Sequence, residues 1–402
     1  MKPRCVRANF ILRPERIAVV HDWLIQYAGA ERVLEQILAE FPAADLYTLV
    51  DFLPSNERAF VQGRPVFTSF LQRMPGARRH YRQYLPLMPL AVEQFDLSRY
   101  DLVISSTHAV AKGVITGPDQ LHVAYVYSPI RYAWDLHHQY LEEAGLDRGL
   151  RSAYARWVLH KIRLWDQRTA NGVDAFIAIS RYIAQRVRKV YRRDATVIYP
   201  PVDVGGFTPG DRRDDFYVTV SRIVPYKKVG TIADAFAGMP EKRLVIIGDG
   251  PEAGRVRKRL TANVTMLGQQ PETVLRDHLR RARAFVFAAE EDFGIAPLEA
   301  QACGTPVIAY AKGGVLETLR GQDDGNPTGV FFFEQTSQAI RDAVATFETV
   351  QHRIGQSACR ENALRFGIPR FRGELRAFID EQWEMFQRGD RPTAPRATEV
   401  AL

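Results

Sequence analysis

The sequence of 402 residues is poor in cysteine, with only Cys5, Cys303 and Cys359. Three widely spaced thiols cannot build a disulfide framework or a zinc site, which needs closely spaced ligands. We therefore expect a reducing compartment, the cytoplasm. Long hydrophobic runs are also missing, since none approaches the roughly 18 apolar residues of a membrane-spanning helix. Arg and Pro interrupt the amino-terminal segment before a signal-peptide core can form, so no secretory signal is expected.

Disorder and fibrous structure are excluded by composition. Hydrophobic residues make up 46% and charged residues 25% of the chain, as in folded globular proteins, and the length predicts two domains. Lys and Arg outnumber Asp and Glu by 54 to 46, a net charge of +8. This excess indicates an anionic partner, which could be nucleic acid, a membrane surface or a phosphorylated substrate. No helix-turn-helix, zinc-finger or RNA-binding signature supports nucleic acid.

The positive charge is concentrated in one segment. Between Arg148 and Arg193, twelve Lys or Arg residues against two acids give a charge of +10. A second basic stretch, from Arg73 to Arg82, is interleaved with apolar residues such as Tyr81 and Met88. That pattern suits a segment lying in a membrane interface, although a solvated helix face is the usual explanation of a charge run. Our hypothesis is that both stretches dock the first half of the chain on an anionic membrane.

Short β-branched or aromatic runs alternate with amphipathic segments of helix length, which predicts an α/β fold with parallel sheets. Six strands are predicted in each half, enough for two doubly wound sheets. They lie at 16–20, 45–50, 102–106, 123–127, 175–179 and 196–199, and at 216–220, 243–247, 264–267, 284–289, 306–309 and 329–332.

The adjacent prolines Pro200 and Pro201 indicate a stiff linker between the halves. We predict domains at 1–200 and 201–370, followed by a helix at 371–388 that packs back on the first domain. The Pro, Thr and Arg content of 389–402 predicts a flexible tail. In such folds ligands bind where strand carboxyl ends and helix amino termini converge, here expected in a central cleft.

The most informative motif, at 290–304, reads Glu-Glu-Asp-Phe-Gly-Ile-Ala-Pro-Leu-Glu-Ala-Gln-Ala-Cys-Gly. Pro297 near its start and Gly304 after its end predict a helix from Ile295 to Cys303. The free amides at that start suit phosphate or sugar oxygens, and Glu291 and Glu299 can accept hydrogen bonds from hydroxyls. A sugar nucleotide carries both groups. The alternative is a capped helix whose acids complement its dipole.

This motif resembles that of retaining glycosyltransferases of the GT-B fold, family 4, in which seven residues separate two glutamates. The resemblance implies that Glu291 contacts the transferred sugar and Glu299 the ribose. It also assigns donor contacts to the residues around the helix start, namely Phe293, Gly294, Ile295 and Ala296.

The loop Ser-Arg-Ile-Val-Pro-Tyr-Lys-Lys at 221–228 looks like the family's diphosphate grip, with Arg222 and Lys227 as its cations. Two cations there would stabilise the leaving diphosphate in the transition state. The Gly-Asp-Gly turn that includes Gly250 lies near the nucleotide in the family. Ala-Gly-Ala-Glu at 28–31 is similar to the family's Gly-Gly-x-Glu loop, which implies that Gly29 approaches a donor phosphate.

The segment Tyr-Val-Tyr-Ser-Pro-Ile-Arg-Tyr-Ala-Trp-Asp at 125–135 is similar to a signature of WbaZ-like mannosyltransferases. The resemblance puts His108, Tyr127, Arg131, Trp134 and Asp135 on the acceptor side. Tyr127 stands where that branch usually has His, and a phenol with a pKa near 10 is no base at neutral pH. His108 is the replacement candidate, although in this family the leaving diphosphate is thought to take the acceptor's proton.

The resemblance implies a retaining hexosyltransferase of bacterial surface-polysaccharide synthesis, located in the cytoplasm or on the inner face of the cytoplasmic membrane. We expect transfer of mannose from GDP-mannose to a lipid-linked or oligosaccharide acceptor, with a UDP-sugar donor as the alternative. No Asp-x-Asp motif is present, so we expect no metal cofactor, with Arg222 and Lys227 in place of the ion.

Overall fold

The computed structural model describes residues 13–61 and 63–389, which form two compact units. As far as it is described, the first unit comprises Met1–Ile179, Ile183–Ile198 and Arg372–Leu402. The second comprises Ser180–Tyr182 and Tyr199–Phe371, so the division falls within the proline-containing segment. From residue 390 onwards, the predicted tail lies outside the described residues.

The first unit contains a parallel sheet of seven strands in the order β3-β2-β1-β4-β5-β6-β7. Its strands are β1 Ile17–His21, β2 Asp45–Thr48, β3 Val66–Thr68, β4 Leu102–Thr107, β5 Leu121–Val126, β6 Ala175–Ala178 and β7 Thr196–Val197. All six strands predicted for this half are present. The sheet has a seventh strand, β3, which was not predicted, so the predicted number was wrong by one. This edge strand, Val-Phe-Thr, has only three residues, which is too short a run to be distinguished from a loop in the sequence.

The second unit contains six parallel strands in the order β10-β9-β8-β11-β12-β13. These are β8 Tyr217–Val220, β9 Leu244–Ile247, β10 Val264–Gly268, β11 Ala284–Phe287, β12 Val307–Tyr310 and β13 Gly329–Phe332. They match the predicted strands with small shifts at their ends. In both sheets the order is that of a doubly wound fold, which reverses between β1 and β4 and between β8 and β11. Ligands bind such sheets beyond the strand carboxyl ends at this reversal.

The helices of the first unit cover both faces of its sheet, whose central strands β4 and β5 are buried along their whole length. They are α1 Gly29–Glu40, α2 Ala77–His80, α3 Met88–Glu93, α4 His137–Glu143, α5 Gly149–Thr169 and α6 Arg181–Tyr191. The first two residues of α6 group with the second unit. No helix among the described residues is long and apolar enough to cross a membrane.

The remaining helices follow in the second half of the chain. They are α7 Val229–Ala237, α8 Ala253–Arg257, α9 Glu272–Arg281, α10 Ile295–Ala302, α11 Val315–Thr318, α12 Ser337–Val350, α13 Gln356–Leu364 and α14 Ile368–Arg388. The predicted helix at 295–303 is α10, which ends one residue earlier.

The carboxyl-terminal helix α14 passes from the second unit into the first at Arg372. Arg372 donates to the Gln36 side chain at 2.6 Å, and Arg376 donates to the Glu40 carboxylate at 2.7 Å. Both pairs are spaced by four residues, so two neighbouring turns of α14 contact two neighbouring turns of α1.

Candidate functional site

In the second unit, two predicted loops meet at the reversal of strand order. β8 and β11 are hydrogen-bonded neighbours, and the loops that follow them carry Lys227 and Glu291. The Lys227 Nζ contacts Oε1 of Glu291, and these side chains are only 18% and 16% exposed. Partial burial strengthens such an ion pair, because water screens it less than at the surface. The structure therefore brings together one predicted cation and one predicted carboxylate.

The backbone explains how Lys227 reaches this position. Pro225–Lys227 forms a single 3-10 turn, and Lys228 adopts the left-handed conformation with φ of 56° before α7 begins. Arg222 lies on the same loop with an exposed side chain. Within the described residues, its guanidinium makes no ion pair or hydrogen bond, so it is the second cation of the loop but is not held against Glu291.

The α10 amino terminus has the conformation that the motif predicted. Gly294 has φ of 90°, a left-handed value that favours glycine, and α10 begins at Ile295. Ile295 and Ala296 are partly exposed, and first-turn amides have no acceptor within the helix. Glu299 lies one turn further along with 7% of its surface exposed.

One predicted donor residue has a different role. The Phe293 side chain is buried, and its ring stacks on Tyr199 with centroids 5.8 Å apart and lies edge-on to Phe366. This ring is part of an aromatic core, so its side chain is not available to a ligand. The apolar residue in the motif thus serves packing, which sequence spacing could not distinguish from ligand contact.

Gly250 is required by packing between loops. A Cβ at Gly250 would overlap the Ile223 carbonyl oxygen, and one at Gly248 would overlap that of Ser221. The Ile223 amide also donates to the Asp249 carbonyl at 2.9 Å. The glycine turn after β9 therefore supports the loop that carries Arg222, and this support explains the glycines without a ligand.

The sequence analysis missed a glycine pair that holds Glu291. Gly313 has φ of 84°, and a Cβ on it would overlap the Glu291 carbonyl oxygen. The Gly314 amide donates to that oxygen at 2.8 Å, and a Cβ there would overlap the Asp292 carbonyl. Only glycine permits this close approach. The available signal was the Gly-Gly pair in the loop after β12.

A second missed residue is Glu317 on α11. Its carboxylate accepts hydrogen bonds from the Arg181 and Tyr182 amides at 2.8 and 2.9 Å, which caps the start of α6. It also accepts from the Tyr199 hydroxyl at 3.0 Å, and burial together with this carboxylate raises the pKa of Tyr199 to about 12. Tyr182 in turn donates to the Glu290 carboxylate at 2.6 Å, beside Glu291.

In the first unit, the loops after β1 and β4 meet around a buried carboxylate. Asp22 accepts four backbone hydrogen bonds of 2.6 to 2.9 Å from residues 108–111. This shapes the loop that presents His108, whose Nδ1 lies 3.1 Å from Asp22 Oδ2. Burial lowers the pKa of His108, although the Asp22 charge opposes this, and Arg131 lowers it further. Sequence analysis passed over Asp22, despite its position directly after β1.

Tyr127 links this cluster to the start of α1. Its hydroxyl donates to the Ala30 carbonyl at 3.0 Å and lies 2.8 Å from Ser106 Oγ, which is 3.0 Å from His21 Nδ1. Because Tyr127 has one proton and a carbonyl can only accept, Ser106 donates to Tyr127 and Nδ1 of His21 donates to Ser106. Burial raises the pKa of Tyr127 well above 10, so it is no base at neutral pH. Gly29, the first residue of α1, lies beside this anchor.

Trp134 and Asp135 are engaged elsewhere in the first unit. The Trp134 indole donates to Asp166 of α5 at 2.7 Å, and Asp135 forms an ion pair of 2.5 Å with Arg186 of α6. Their polar atoms therefore hold the segment against these helices. Of the predicted acceptor-side residues, the structure brings together His108, Tyr127 and Arg131.

A cavity lies at the opposite edge of the second sheet. It has a volume of about 360 Å³ and is lined by Asp215, Arg283, Pro306 and neighbouring residues at the amino ends of β8, β11 and β12. Because doubly wound sheets bind ligands beyond their carboxyl ends, we place the site at the Lys227 and Glu291 loops instead. No metal-binding group of three or more His, Cys, Asp or Glu occurs in the described part of the chain.

Curated proteins with similar sequences include two mycobacterial enzymes. D-inositol 3-phosphate glycosyltransferase of Mycobacterium leprae is 32% identical over 205 residues, 44% of this chain and 47% of that protein. The Mycobacterium tuberculosis protein of the same name is 30% identical over 227 residues, 50% and 47% of the two chains. The chain thus spans about half the length of these relatives.

Solved structures share the fold at low sequence identity. Anabaena HepE in complex with UDP has a TM-score of 0.66 and 17% identity, over 91% of this chain and 100% of that one. Sucrose-phosphate synthase from Thermosynechococcus elongatus has a TM-score of 0.69 and 18% identity, over 92% and 99% of the two chains.

Two family models match the chain one after the other. The model described as Glycosyltransferase Family 4 matches residues 27–205, and that described as Glycosyl transferases group 1 matches residues 209–365. Together they take in both loop clusters. The chain therefore consists of two consecutive segments that match glycosyltransferase family models, and it has the GT-B fold.

Proposed function

We propose that this chain is a retaining hexosyltransferase that moves mannose from GDP-mannose to a lipid-linked or oligosaccharide acceptor in bacterial surface-polysaccharide synthesis. The observation that carries the proposal is the contact between Lys227 and Glu291 beside the free end of α10. A cation, a carboxylate and helix amides in one place match the diphosphate and hydroxyls of a sugar nucleotide.

In this proposal the donor diphosphate competes with Glu291 for Lys227. The diphosphate carries more charge than one carboxylate, so Lys227 turns to it on binding and Glu291 becomes free to accept from a sugar hydroxyl. Negative charge grows on the diphosphate as the sugar bond breaks, and Lys227 and Arg222 stabilise that state more than the ground state. The α10 amides and the helix dipole add to this stabilisation.

On the acceptor side, neither His108 nor Tyr127 acts as the principal base. Burial lowers the pKa of His108, which makes it a weaker base than an ordinary histidine, and its role in this proposal is to orient an acceptor hydroxyl. Tyr127 fixes the start of α1, where Gly29 would approach a donor phosphate. The acceptor's proton passes to the leaving diphosphate, which retention on one face of the sugar allows. No metal is assigned to the reaction, since the Arg and Lys pair supplies positive charge.

The experiment that tests the proposal is a donor screen followed by product analysis. Ligands that bind the native state raise its melting temperature, so GDP-mannose and GDP should raise it more than UDP, ADP or their sugars. NMR of the product should show the anomeric configuration of the donor. A product with inverted anomeric configuration would exclude the retaining mechanism. If none of the nucleotides or nucleotide sugars raised the melting temperature, the transferase proposal would be excluded.

A UDP-sugar donor is the second candidate. The HepE structures contain UDP and UDP-glucose, and nothing in the described loops excludes uridine. A larger shift with UDP-sugars in the same screen would replace mannose by another hexose and leave the proposed chemistry unchanged.

A further inference from the structure

The outward face of α5 carries large apolar side chains that contact no core. Leu150 is 90% exposed, Tyr154 60%, Trp157 55% and Leu164 53%. Their spacings of four, three and seven residues place them on one side of the helix, over about 21 Å of its length. A soluble protein rarely leaves so long an apolar stripe open to water, and such patches mark interaction surfaces.

The helix does not need this stripe for its own packing. Its opposite face buries Val158, Leu159 and Ile162 in a hydrophobic cluster of the first unit. On that buried side, Asp166 forms an ion pair of 2.8 Å with Lys112. Core packing therefore accounts for the apolar residues on the inner face of α5, but not for those on its outer face.

The stripe contains a pair of stacked aromatic rings. The Tyr154 and Trp157 rings stack with centroids 6.2 Å apart and an interplanar angle of 27°. One turn further on, the Lys161 ammonium lies 5.9 Å from the centre of the Trp157 ring. Tyr and Trp prefer the membrane interface, where one end of the ring is apolar and the other wet, and Lys can extend its ammonium to head groups.

The exposed charge of α5 itself has one sign. The five basic residues of α5 are Arg151, Arg156, Lys161, Arg163 and Arg168, and its single acid is the buried Asp166. A second copy of the same face would bring like charges together, which disfavours self-association. Nucleic acid would match the charge but leave the apolar side chains in water. An anionic bilayer matches both.

The second basic stretch is mixed. Tyr81 and Met88 are buried and belong to the core of the first unit, so these apolar residues face inward. Arg78, Arg79 and Arg82 are exposed, and shortly after them Leu87 is 36% and Leu90 50% exposed. These exposed apolar residues lie on a 3-10 turn and a six-residue helix and form no stripe along one long helix, so the proposal is confined to α5.

We propose that the α5 stripe, defined as Leu150, Tyr154, Trp157, Lys161 and Leu164, docks flat on an anionic bilayer. The apolar side chains enter the boundary between head groups and acyl chains, and the basic residues contact anionic head groups. The inference rests on the proposed function, because a lipid-linked acceptor is what would bring this chain to a membrane. Beyond that function, the inference identifies the α5 stripe as the surface that contacts the membrane.

The test is cosedimentation of the full chain with two kinds of vesicle, at low and at high salt. One kind is phosphatidylcholine alone, and the other is an equimolar mixture with phosphatidylglycerol. We expect the wild type to bind the mixed vesicles, and high salt to weaken this binding. The double variant Tyr154→Ser/Trp157→Ser should bind them at least about tenfold more weakly than the wild type. These side chains are exposed, so the melting temperature should not change. Leu364→Ser, at a residue 48% exposed on α13, is the matched control and should bind as the wild type does.

A second pair of variants separates location from net charge. Arg151→Gln/Lys161→Gln/Arg168→Gln on α5 and Arg255→Gln/Arg257→Gln/Lys258→Gln near α8 remove the same charge from exposed positions. Only the α5 triple should lose vesicle binding, by about tenfold or more. Equal losses in both triples, or a stripe variant that binds normally, would overturn the proposal. So would a dimer that the double variant dissociates while vesicle binding persists.

The same preparations keep this inference separate from the proposed function. Stripe variants should bind nucleotide sugar with the wild-type melting shift, because the stripe contains none of the donor-site residues. Normal donor binding without vesicle binding in the wild type would reject the docking surface alone. Vesicle binding without any nucleotide binding would instead reject the transferase proposal and leave the surface standing.

Discussion

At the residue scale, the decisive feature is the contact of a cation with a carboxylate, for which the donor diphosphate competes in the proposed function. Lys227 and Glu291 lie on loops after adjacent strands and contact each other in a partly buried position. Arg222, on the Lys227 loop, is exposed. Under the proposed function, Lys227 is therefore positioned before the donor binds, while Arg222 turns to the diphosphate on binding. The two cations should differ in what they contribute.

Lys227→Ala and Arg222→Ala should each lower turnover by on the order of 10² or more, as the loss of one preorganised transition-state donor does. Steady-state transfer assays measure this, with Lys228→Gln as the neighbouring control. Activity within a few-fold of wild type in both variants would contradict the diphosphate grip.

The two glutamates should separate in kinetic analysis. Glu291→Ala should mainly lower kcat, because Glu291 is proposed to contact the transferred sugar, whereas Glu299→Ala should mainly raise KM and weaken nucleotide binding. Because Glu299 is nearly buried, the melting temperature of the Glu299→Ala variant must be measured together with its kinetics. Glu299→Gln serves as the conservative control. The reverse pattern would exchange the two assignments.

At the element scale, buried polar side chains hold the ends of strands and the loops that follow them. Asp22 caps the loop after β4, Tyr127 ties β5 to α1, and Gly313 with Gly314 holds the Glu291 backbone. Each of these contacts joins two elements that are distant in sequence. Loss of such a contact should lower stability or change the loop geometry, and should affect the rate of transfer only through that change.

Asp22→Asn should destabilise the chain by about 3 kcal/mol, because an amide cannot accept all four hydrogen bonds and its own N–H groups meet other donors. Urea unfolding measures the change, and Asp119→Asn, at an exposed position of the same unit, is the control. A loss no larger than that of the control would show that the loop does not depend on this carboxylate.

Stability should also fall in mild acid through His122 on β5. Burial lowers its pKa to about 4, below the roughly 6.5 of an unfolded histidine, so the unfolded chain binds the extra proton first. The free energy of unfolding should therefore drop as pH falls from about 6.5 to about 4, by about 3 kcal/mol for this group. His122→Gln should flatten that dependence relative to the exposed His352→Gln. Equal slopes in both variants would contradict the assignment.

At the scale of the whole molecule, the proposed site and the cavity of about 360 Å³ lie at opposite edges of the second sheet. The loops carrying Lys227 and Glu291 follow strand carboxyl ends, and the cavity adjoins strand amino ends. Charge is also unevenly distributed, since the +10 segment covers α5 and α6 and the rest of the chain is close to neutral. Phosphate binding and membrane contact are thus assigned to different cations.

Hydrogen exchange with GDP or UDP should distinguish the two edges. Protection should rise at 221–228, at 290–299 and at 28–31, because these loops supply the proposed donor contacts. The residues lining the cavity, at 213–215 and 351–354, are the internal control and should not change. Protection confined to the cavity would move the nucleotide site to the amino edge.

The sequence alone determined the elements and the motif, because both depend on local patterns. Buried parallel strands appear as short apolar runs, so twelve strands were predicted, and only the exposed three-residue β3 escaped. Pro297 and Gly304 fixed α10 to within one residue. Glu291 and Glu299 stood out by residue type and spacing, whereas Lys227 was identified through the resemblance of its loop to that of family 4 enzymes.

Only the tertiary structure decided which side chains meet and which face outward. Asp22, Glu317 and the Gly313–Gly314 pair find their partners across long stretches of chain, where no sequence period records the contact. The Phe293 ring proved to be buried, and Tyr81 of the second basic stretch is buried whereas Tyr154 of the first is exposed, because apolar residues among basic ones look alike in sequence until packing determines which side they face. The physical reason is that a local pattern specifies an element, whereas exposure depends on which other elements cover it.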